Sequence, residues 1–360
     1  MSRGVLVGSP TLSPAALSTR RHRQLPYPLQ DQSLTLSARG RHSLHLGLKA
    51  LGVGAGDEVL VPAYHHGSEI EAIAQSGATC RFYGGTSRLE PDPDELEGLL
   101  GPQVRALHLT HYIGFPQDCE RWRRWCSERG LLLFEDAAQA WLSTHGGRPL
   151  GTAGDLAIFC LYKSVGVPDG GALVCRSPAR VEQKAPAGGF VMAAKRAVLW
   201  AAQHRLVPAR IVMRNQGAGS FDAAAGFAVG DVESPPSRAT SLLLPRLNYA
   251  RVPERRRRNY LRLLAALGRR VPPPFEALPE GASPMIFPVR AEDKAGFLEH
   301  LRHGGIKAVD FWSVSHPAFD DDWFPAIAER RATTVGLPVH QELSDADIDQ
   351  VVEAATSWSD

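Results

Sequence analysis

From residue 37 onward the apolar positions switch repeatedly between two spacings. SLHLGLKALGV (43–53), SEIEAIAQSG (68–77), DPDELEGLLG (92–101) and DCERWRRWCSERG (118–130) read as helices, stopped in turn by glycine. Between them lie short apolar runs that read as strands: DEVLVPAY (57–64), ATCRFYG (78–84), VRALHLTHYIG (104–114), LLLFEDAAQ (131–139) and DLAIFCLY (155–162). Alternation of this kind predicts an α/β domain with a mostly parallel central sheet.

The regular pattern lapses over residues 215–238, where Gly, Ala and Pro dominate and a long loop is expected. A basic helix follows, with Pro253 in its first turn and Gly268 past its end. The proline cluster of residues 271–284 then marks a boundary, and MIFPVRA, DKAGFLEHLRHGG and IKAVDFWS read as strand, helix and strand. A last helix starts at Ser344, with Asp347 completing a capping box. The expected organisation is a large α/β domain over residues 1–250 and a smaller C-terminal α/β domain over 251–360.

The 360 residues suit about two domains. With 40 Lys plus Arg against 38 Asp plus Glu, the net charge of +2 offers no field for a polyanion, so nucleic acid is not an expected partner. The N-terminus lacks the apolar core of a signal peptide, and no run approaches the ~18 apolar residues needed to span a bilayer. GGFVMAAKRAVLWAAQHRLV (188–207) mixes Lys195 and Arg205 into its apolar stripe, so it reads as a packing or dimer-contact helix. Five cysteines without a CxxC pair suit reduced thiols in a cytoplasm, with no metal site expected.

Three features carry chemistry. A buried strand delivers Glu135 and Asp136 to its C-terminal end, where ligands of α/β sheets sit, with Gln139 just beyond. Lys163 stands between the apolar run AIFCLY and a glycine-rich turn; such walls can depress an amine's pKa and make it a nucleophile. Gly40 opens a helix whose free N–H groups suit a phosphate. An amine, an acid and a phosphate cradle together are what pyridoxal 5′-phosphate requires.

The same residues resemble the DegT/DnrJ/StrS sugar aminotransferases, a family of fold-type I pyridoxal-phosphate enzymes. GRHSLHLGLKALGVGAGDEVLVPAY, THYIGFPQD, FEDAAQA, KSVGVPDGGALV and GLPVHQELSDADIDQVVEA follow the family's motifs in order from about residue 37 to the end. The resemblance implies that Lys163 is the Schiff-base lysine and proton shuttle. Asp136 would hold the pyridine nitrogen protonated, Gln139 would bind the phenolic oxygen, and His66 would stack on the cofactor's face. Gly40 and Arg41 stand where the family contacts phosphate, and Cys160 stands near its phosphate-binding serine. It also implies a homodimer using an amino-acid donor, glutamate first among them, and a keto-sugar acceptor of the nucleotide-linked kind. Alternatives are a pyridoxal-phosphate sugar dehydratase and a binding protein, regulatory or scaffolding, that has lost turnover.

The sequence also departs from the family. Arg41 replaces a hydroxyl residue, the segment before Lys163 is short, and the family's Asn-Tyr-Arg segment is missing, with Asn215 a possible substitute. His111 reads as a satisfied core histidine, and Trp122 and Trp125 read as core. The runs ERWRRW and ERRRRNY read as solvated helix faces.

Overall fold

The strand-like runs gather into one large mixed sheet and a smaller one. In the computed structural model, which describes residues 5–177, 185–208, 227 and 229–359, the strands are β1 (Leu6–Val7), β2 (Leu34–Ser37), β3 (Glu58–Pro62), β4 (Thr79–Tyr83), β5 (Val104–Thr110), β6 (Leu132–Asp136), β7 (Thr144–His145), β8 (Arg148–Pro149), β9 (Leu156–Cys160), β10 (Gly171–Cys175), β11 (Ile286–Arg290), β12 (Ile306–Lys307), β13 (Val309–Asp310) and β14 (Thr334–Pro338). The helices are α1 (Gly40–Ala50), α2 (Ser68–Ala74), α3 (Pro93–Gly98), α4 (Cys119–Glu128), α5 (Leu161–Ser164), α6 (Phe190–Gln203), α7 (Arg238–Leu243), α8 (Arg251–Leu267), α9 (Lys294–His303), α10 (Pro325–Thr333) and α11 (Asp345–Thr356).

The large sheet has the order β2-β10-β9-β6-β5-β3-β4. Strands β3, β4, β5, β6 and β9 pair in parallel, and β10 runs antiparallel to both β9 and β2. This is the expected α/β class with a mostly parallel sheet. Parallel neighbours need crossovers, which α2, α3 and α4 supply. The pleat then sorts side chains by parity. Val59, Val61, Ala106, Phe134 and Ile158 pack on one face with Leu44 and Leu48 of α1, whereas Leu60, Leu107, Leu109 and Leu133 meet Trp122 and Trp125 on the other. Both tryptophans are core, as expected.

The C-terminal part has a three-stranded antiparallel sheet, β11-β14-β13. Phe287, Val335 and Leu337 from it share a core with Leu263 of α8, Phe297 of α9 and Val351 of α11. IKAVDFWS forms two short strands rather than one: β12 pairs in parallel with the N-terminal β1, and β13 pairs with β14. The capping box at Ser344 and Asp347 is present. Of the expected loop, residues 215–226 and 228 lie outside the described residues; within the remainder, Ser237 caps α7 through the Thr240 N–H.

One reading is corrected here. The arginines of ERRRRNY are not a uniformly solvated face, because Arg256 is fully buried. Its helical phase turns it towards α5, where backbone carbonyls receive it.

The start of α1 is wedged, backbone first, between β9 and β10. A Cβ on Gly40 would stand 2.5 Å from the Cys160 sulfur, and one on Gly171 would overlap the Arg39 carbonyl. The nearest obstacle at Gly171 is thus backbone, with the Ser37 hydroxyl at 2.6 Å beside it. Gly171→Ala is therefore expected to destabilise the protein by about 1–3 kcal/mol, measured as a lowered denaturation midpoint in urea. An unchanged midpoint would show that α1 can retreat from the sheet without cost.

Candidate active site

The C-terminal ends of β3, β5, β6 and β9 and the N-terminus of α1 surround one cavity. Gly40, Arg41, His66, Asp136, Gln139, Cys160 and Lys163 all line it, so every cofactor-site residue expected from the sequence comes to the same place. Ser68, Glu69, Thr110, Tyr162 and Trp312 also line it and had not been anticipated. Thr110 ends β5 directly beside Asp136, and its hydroxyl is buried without a hydrogen-bond partner among the described residues. Its position at a strand end was the signal that could have found it. Trp312 comes from the distant C-terminal part, and no local pattern marks it.

Strand pleating separates the two acids of β6. Asp136 faces the cavity, and its Oδ1 accepts the Ala138 N–H at 2.8 Å. Glu135 points to the opposite face and is fully buried. It accepts backbone N–H groups of Gly151, Ala153 and Gly154 at 2.9, 2.7 and 2.5 Å, and lies 3.3 Å from His111 Nε2. Burial alone would raise the Glu135 pKa, yet His111 and the other donors hold it down to about 2. His111, Cys119 and Glu135 are grouped closely enough to hold a metal. Their polar atoms are instead engaged with one another and with the backbone, for His111 Nδ1 also accepts the Gln117 N–H at 3.0 Å. His111 is thus the satisfied core histidine the sequence suggested.

Gln139 is oriented by the His111–Pro116 turn. Ile113 adopts a positive φ of 45°, a strained conformation for a branched side chain, and donates its N–H to Gln139 Oε1 at 2.8 Å. With the carbonyl end engaged, the amide –NH2 is left for the cavity. Across from it, no side chain caps α1 and no acid occupies its first turn, which leaves a positive helix end at Gly40 and Arg41.

Lys163 sits on α5, immediately after β9. Burial lowers its pKa, but coupling to the ionisable Cys160 and Tyr162 and to the carboxylates of Asp136 and Glu69 outweighs burial and holds it above the ordinary lysine value. The depressed amine expected from the apolar sequence is therefore not what the site provides; it favours the ammonium. His66 shows the opposite balance: burial, with Lys163 nearby, pushes its pKa down to about 4. Its backbone N–H donates to Glu69 Oε1 at 2.9 Å, its ring Nδ1 lies 3.2 Å from Ser68 Oγ, and the ring lies edge-on to Trp312 with centroids 6.4 Å apart.

Two buried arginines from the C-terminal part support these turns. Arg256 donates to the carbonyls of Ser164 at 2.9 Å, Lys163 at 3.3 Å and Pro284 at 3.3 Å, and to Gln341 Oε1 at 2.9 Å. Arg331 donates to the carbonyls of Ala63 at 2.6 Å, His65 at 2.8 Å and Trp312 at 3.2 Å.

A seven-stranded, mostly parallel sheet carrying a lysine and an aspartate at its strand ends defines a fold-type I α/β protein. The profile of the DegT/DnrJ/EryC1/StrS aminotransferase family matches residues 30–356, and the chain belongs to that family. A Streptomyces venezuelae dTDP-3-amino-3,4,6-trideoxy-alpha-D-glucose transaminase is 35% identical over 154 residues, covering 40% of this chain and 39% of the relative. GDP-perosamine synthase of Escherichia coli O157:H7 is 32% identical over 146 residues, 40% of each chain. The alignments thus span about two-fifths of these curated relatives. Among solved structures, S. venezuelae DesV in complex with a ketimine intermediate superposes with a TM-score of 0.66 at 23% identity, covering 90% of this chain and 84% of that one. A putative sugar aminotransferase, Spr1654 from Streptococcus pneumoniae in its PMP form, gives 0.70 at 19% identity, covering 97% and 98%. These likenesses establish the fold.

Two outcomes follow from this packing. Arg256→Met leaves buried carbonyls without a donor and is expected to cost at least about 2 kcal/mol, with Arg256→Lys recovering only part, as read by chemical denaturation. Acid should also weaken the fold. His42 and His66 titrate near 4 when folded, against 6.5 unfolded, so the unfolded chain binds more protons in that interval. Stability is expected to fall as pH drops from 6.5 towards 4, and to level off for these groups below it. Melting temperatures across that range check this, and a flat profile would contradict the burial of both rings.

Proposed function

We propose that this chain is a pyridoxal 5′-phosphate-dependent aminotransferase that moves an amino group from an amino acid, glutamate in the first instance, to the keto group of a nucleotide-linked sugar. The observation that carries the reading is the convergence of Lys163, Asp136, Gln139 and the uncapped start of α1 on one cavity. The residues present fit the cofactor. Asp136 offers an acceptor for a ring N–H, Gln139 offers an amide –NH2 for a phenolic oxygen, and Thr110 brings a buried hydroxyl that lacks a partner among the described residues. The N–H groups at the start of α1, with Arg41, suit its phosphate. Cys160 closes the same end of the cavity.

When bound, pyridoxal phosphate supplies an electron sink for the carbanion at the donor's Cα. Lys163 Nζ would hold the cofactor covalently. The same Nζ would also carry the proton from the donor's Cα to the cofactor's carbonyl carbon, as general base and then general acid. The high affinity of Lys163 for protons suits the second role and requires a base or the incoming donor to free the amine for the first. His66, with its pKa low, presents a neutral ring to the cofactor's face. Homologues named for nucleotide-sugar amination support the acceptor class. Phe190, Val191 and Met192 of α6 are exposed apolar residues, which supports assembly as a homodimer. No helix among the described residues is long and apolar enough to cross a membrane, and all five cysteines are free, which supports a cytoplasmic setting.

The test is a half-reaction. L-glutamate added to the loaded protein should convert the cofactor's aldehyde-form absorption to the amine form, and keto-sugar nucleotides should reverse it. No conversion by any amino-acid donor would overturn transfer. Borohydride reduction and peptide mapping should place the label on Lys163, and Lys163→Ala should lower turnover by about 10³-fold or more.

A further inference from the structure

Beneath Asp136 lies a histidine that neither the sequence pattern nor the proposed chemistry has used. His108 occupies an apolar-parity position of β5, between Ala106 and Thr110 on the face that packs against α1. It is fully buried, and neither ring nitrogen makes a hydrogen bond of good geometry among the described residues. Its Nε2 nevertheless stands 3.4 Å from Asp136 Oδ2. Parallel pairing of β5 and β6 sets this distance: His108 is opposite Phe134 and Thr110 is opposite Asp136, so the imidazole reaches the carboxylate on the diagonal. The backbone at His108 is itself fixed, because its carbonyl accepts the Tyr83 hydroxyl at 3.0 Å.

An imidazole at an apolar position is costly unless its N–H finds an acceptor. Among the described residues Asp136 is the acceptor within reach. The tautomer with its proton on Nε2 is therefore the one this environment selects, since a proton on Nδ1 would be buried with no acceptor at all. Asp136 is then approached at both oxygens, by the Ala138 N–H bonded to Oδ1 and by His108 Nε2 at 3.4 Å from Oδ2. A carboxylate met from these two sides presents its remaining lone pairs to the cavity it lines.

We infer that His108 is a positioning residue that fixes the Asp136 carboxylate in the orientation that receives the cofactor's ring nitrogen. The inference rests on the function proposed above. His108 does not touch the cofactor; it acts through Asp136.

The experiment reconstitutes the protein with pyridoxal phosphate and compares wild type, His108→Leu and His108→Gln, the last keeping an N–H donor near the Nε2 position. His108→Leu is expected to weaken cofactor binding by about tenfold or more and to shift the bound chromophore's absorption band. His108→Gln should stay close to wild type in both. In an Asp136→Asn background, His108→Leu should add little further loss, because the partner it served is gone. An equal, additive loss in that background, or no change in affinity and band, would overturn the inference in favour of packing alone. A second measurement stands independent of cofactor and of the leucine variant's folding: nitrogen-15 NMR of the histidine rings in the unloaded protein. A slowly exchanging Nε2–H on His108 that is lost in Asp136→Asn supports the link, and a proton on Nδ1 contradicts it. Failure of wild type to bind pyridoxal phosphate would instead defeat the proposed function, with the NMR result still deciding whether His108 holds Asp136.

Discussion

Much of the site hangs on a guanidinium that belongs to another part of the chain. Arg256 leaves α8 and ends among the carbonyls of Lys163, Ser164 and Pro284, with Gln341 beside it. Removing a guanidinium from water is expensive, and only a near-complete set of acceptors offsets it. Here the acceptors are carbonyls of α5 and of Pro284, just before the small sheet, together with the Gln341 side chain just after it, so satisfying one guanidinium ties two pieces of main chain and one side chain together. Arg331 repeats the device at the turn after β3, where it holds Ala63 and His65 and reaches over to Trp312. The two turns that carry Lys163 and His66 are thereby clamped from the C-terminal side. A carbonyl has a second lone pair and no preference among donors, so this clamp needs no matching sequence at the turns themselves.

That indifference explains why the clamp escaped the sequence. In ERRRRNY four consecutive arginines look alike, and only helical phase decides that Arg256 points inward while its neighbours reach carboxylates and carbonyls near the surface. Other parts were legible because their physics is local. Glycine stops and apolar periodicity marked the helices from α1 to α4, and FEDAAQ marked a strand end with an acid and an amide just past it. Lys163 stood out as a lone cation after an apolar strand. The antiparallel direction of β10 was not marked, since parallel and antiparallel buried strands share the same apolar run. IKAVDFWS was read as one strand because its break depends on partners, β1 on one side and β14 on the other, that lie hundreds of residues apart in the chain.

The pair Glu135–Asp136 shows how little sequence spacing says about role. Adjacent carboxylates at a strand end suggest shared acid–base work, yet the pleat sends them to opposite faces of the sheet. Glu135 receives three backbone N–H groups and a histidine, becoming a fastener for the 151–154 turn. Asp136 has one backbone donor, with His108 Nε2 approaching its other oxygen at 3.4 Å, which leaves acceptor capacity free towards the cavity. Counting donors around each carboxylate distinguishes the structural acid from the chemical one. Parity supplies the reason: α1 begins over one face, and the loop after β8 closes the other.

The short connection before Lys163 follows the same economy. β9 ends at Cys160 and α5 begins at once, so Cys160 and Lys163 stand three residues apart across a single turn and both face the cavity. A longer loop would let the lysine be placed independently of the strand. Here its position is inherited from β9, and the Cys160 sulfur that shares the turn also presses on Gly40. The glycine at the head of α1 is then required twice over. Its missing side chain admits the sulfur, and its N–H, at the uncapped start of α1 on the cavity, remains available to an anion. A substitution there cannot test phosphate binding alone, because it also pushes on the strand that carries Lys163; Arg41, which lines the cavity without that contact, separates the two roles.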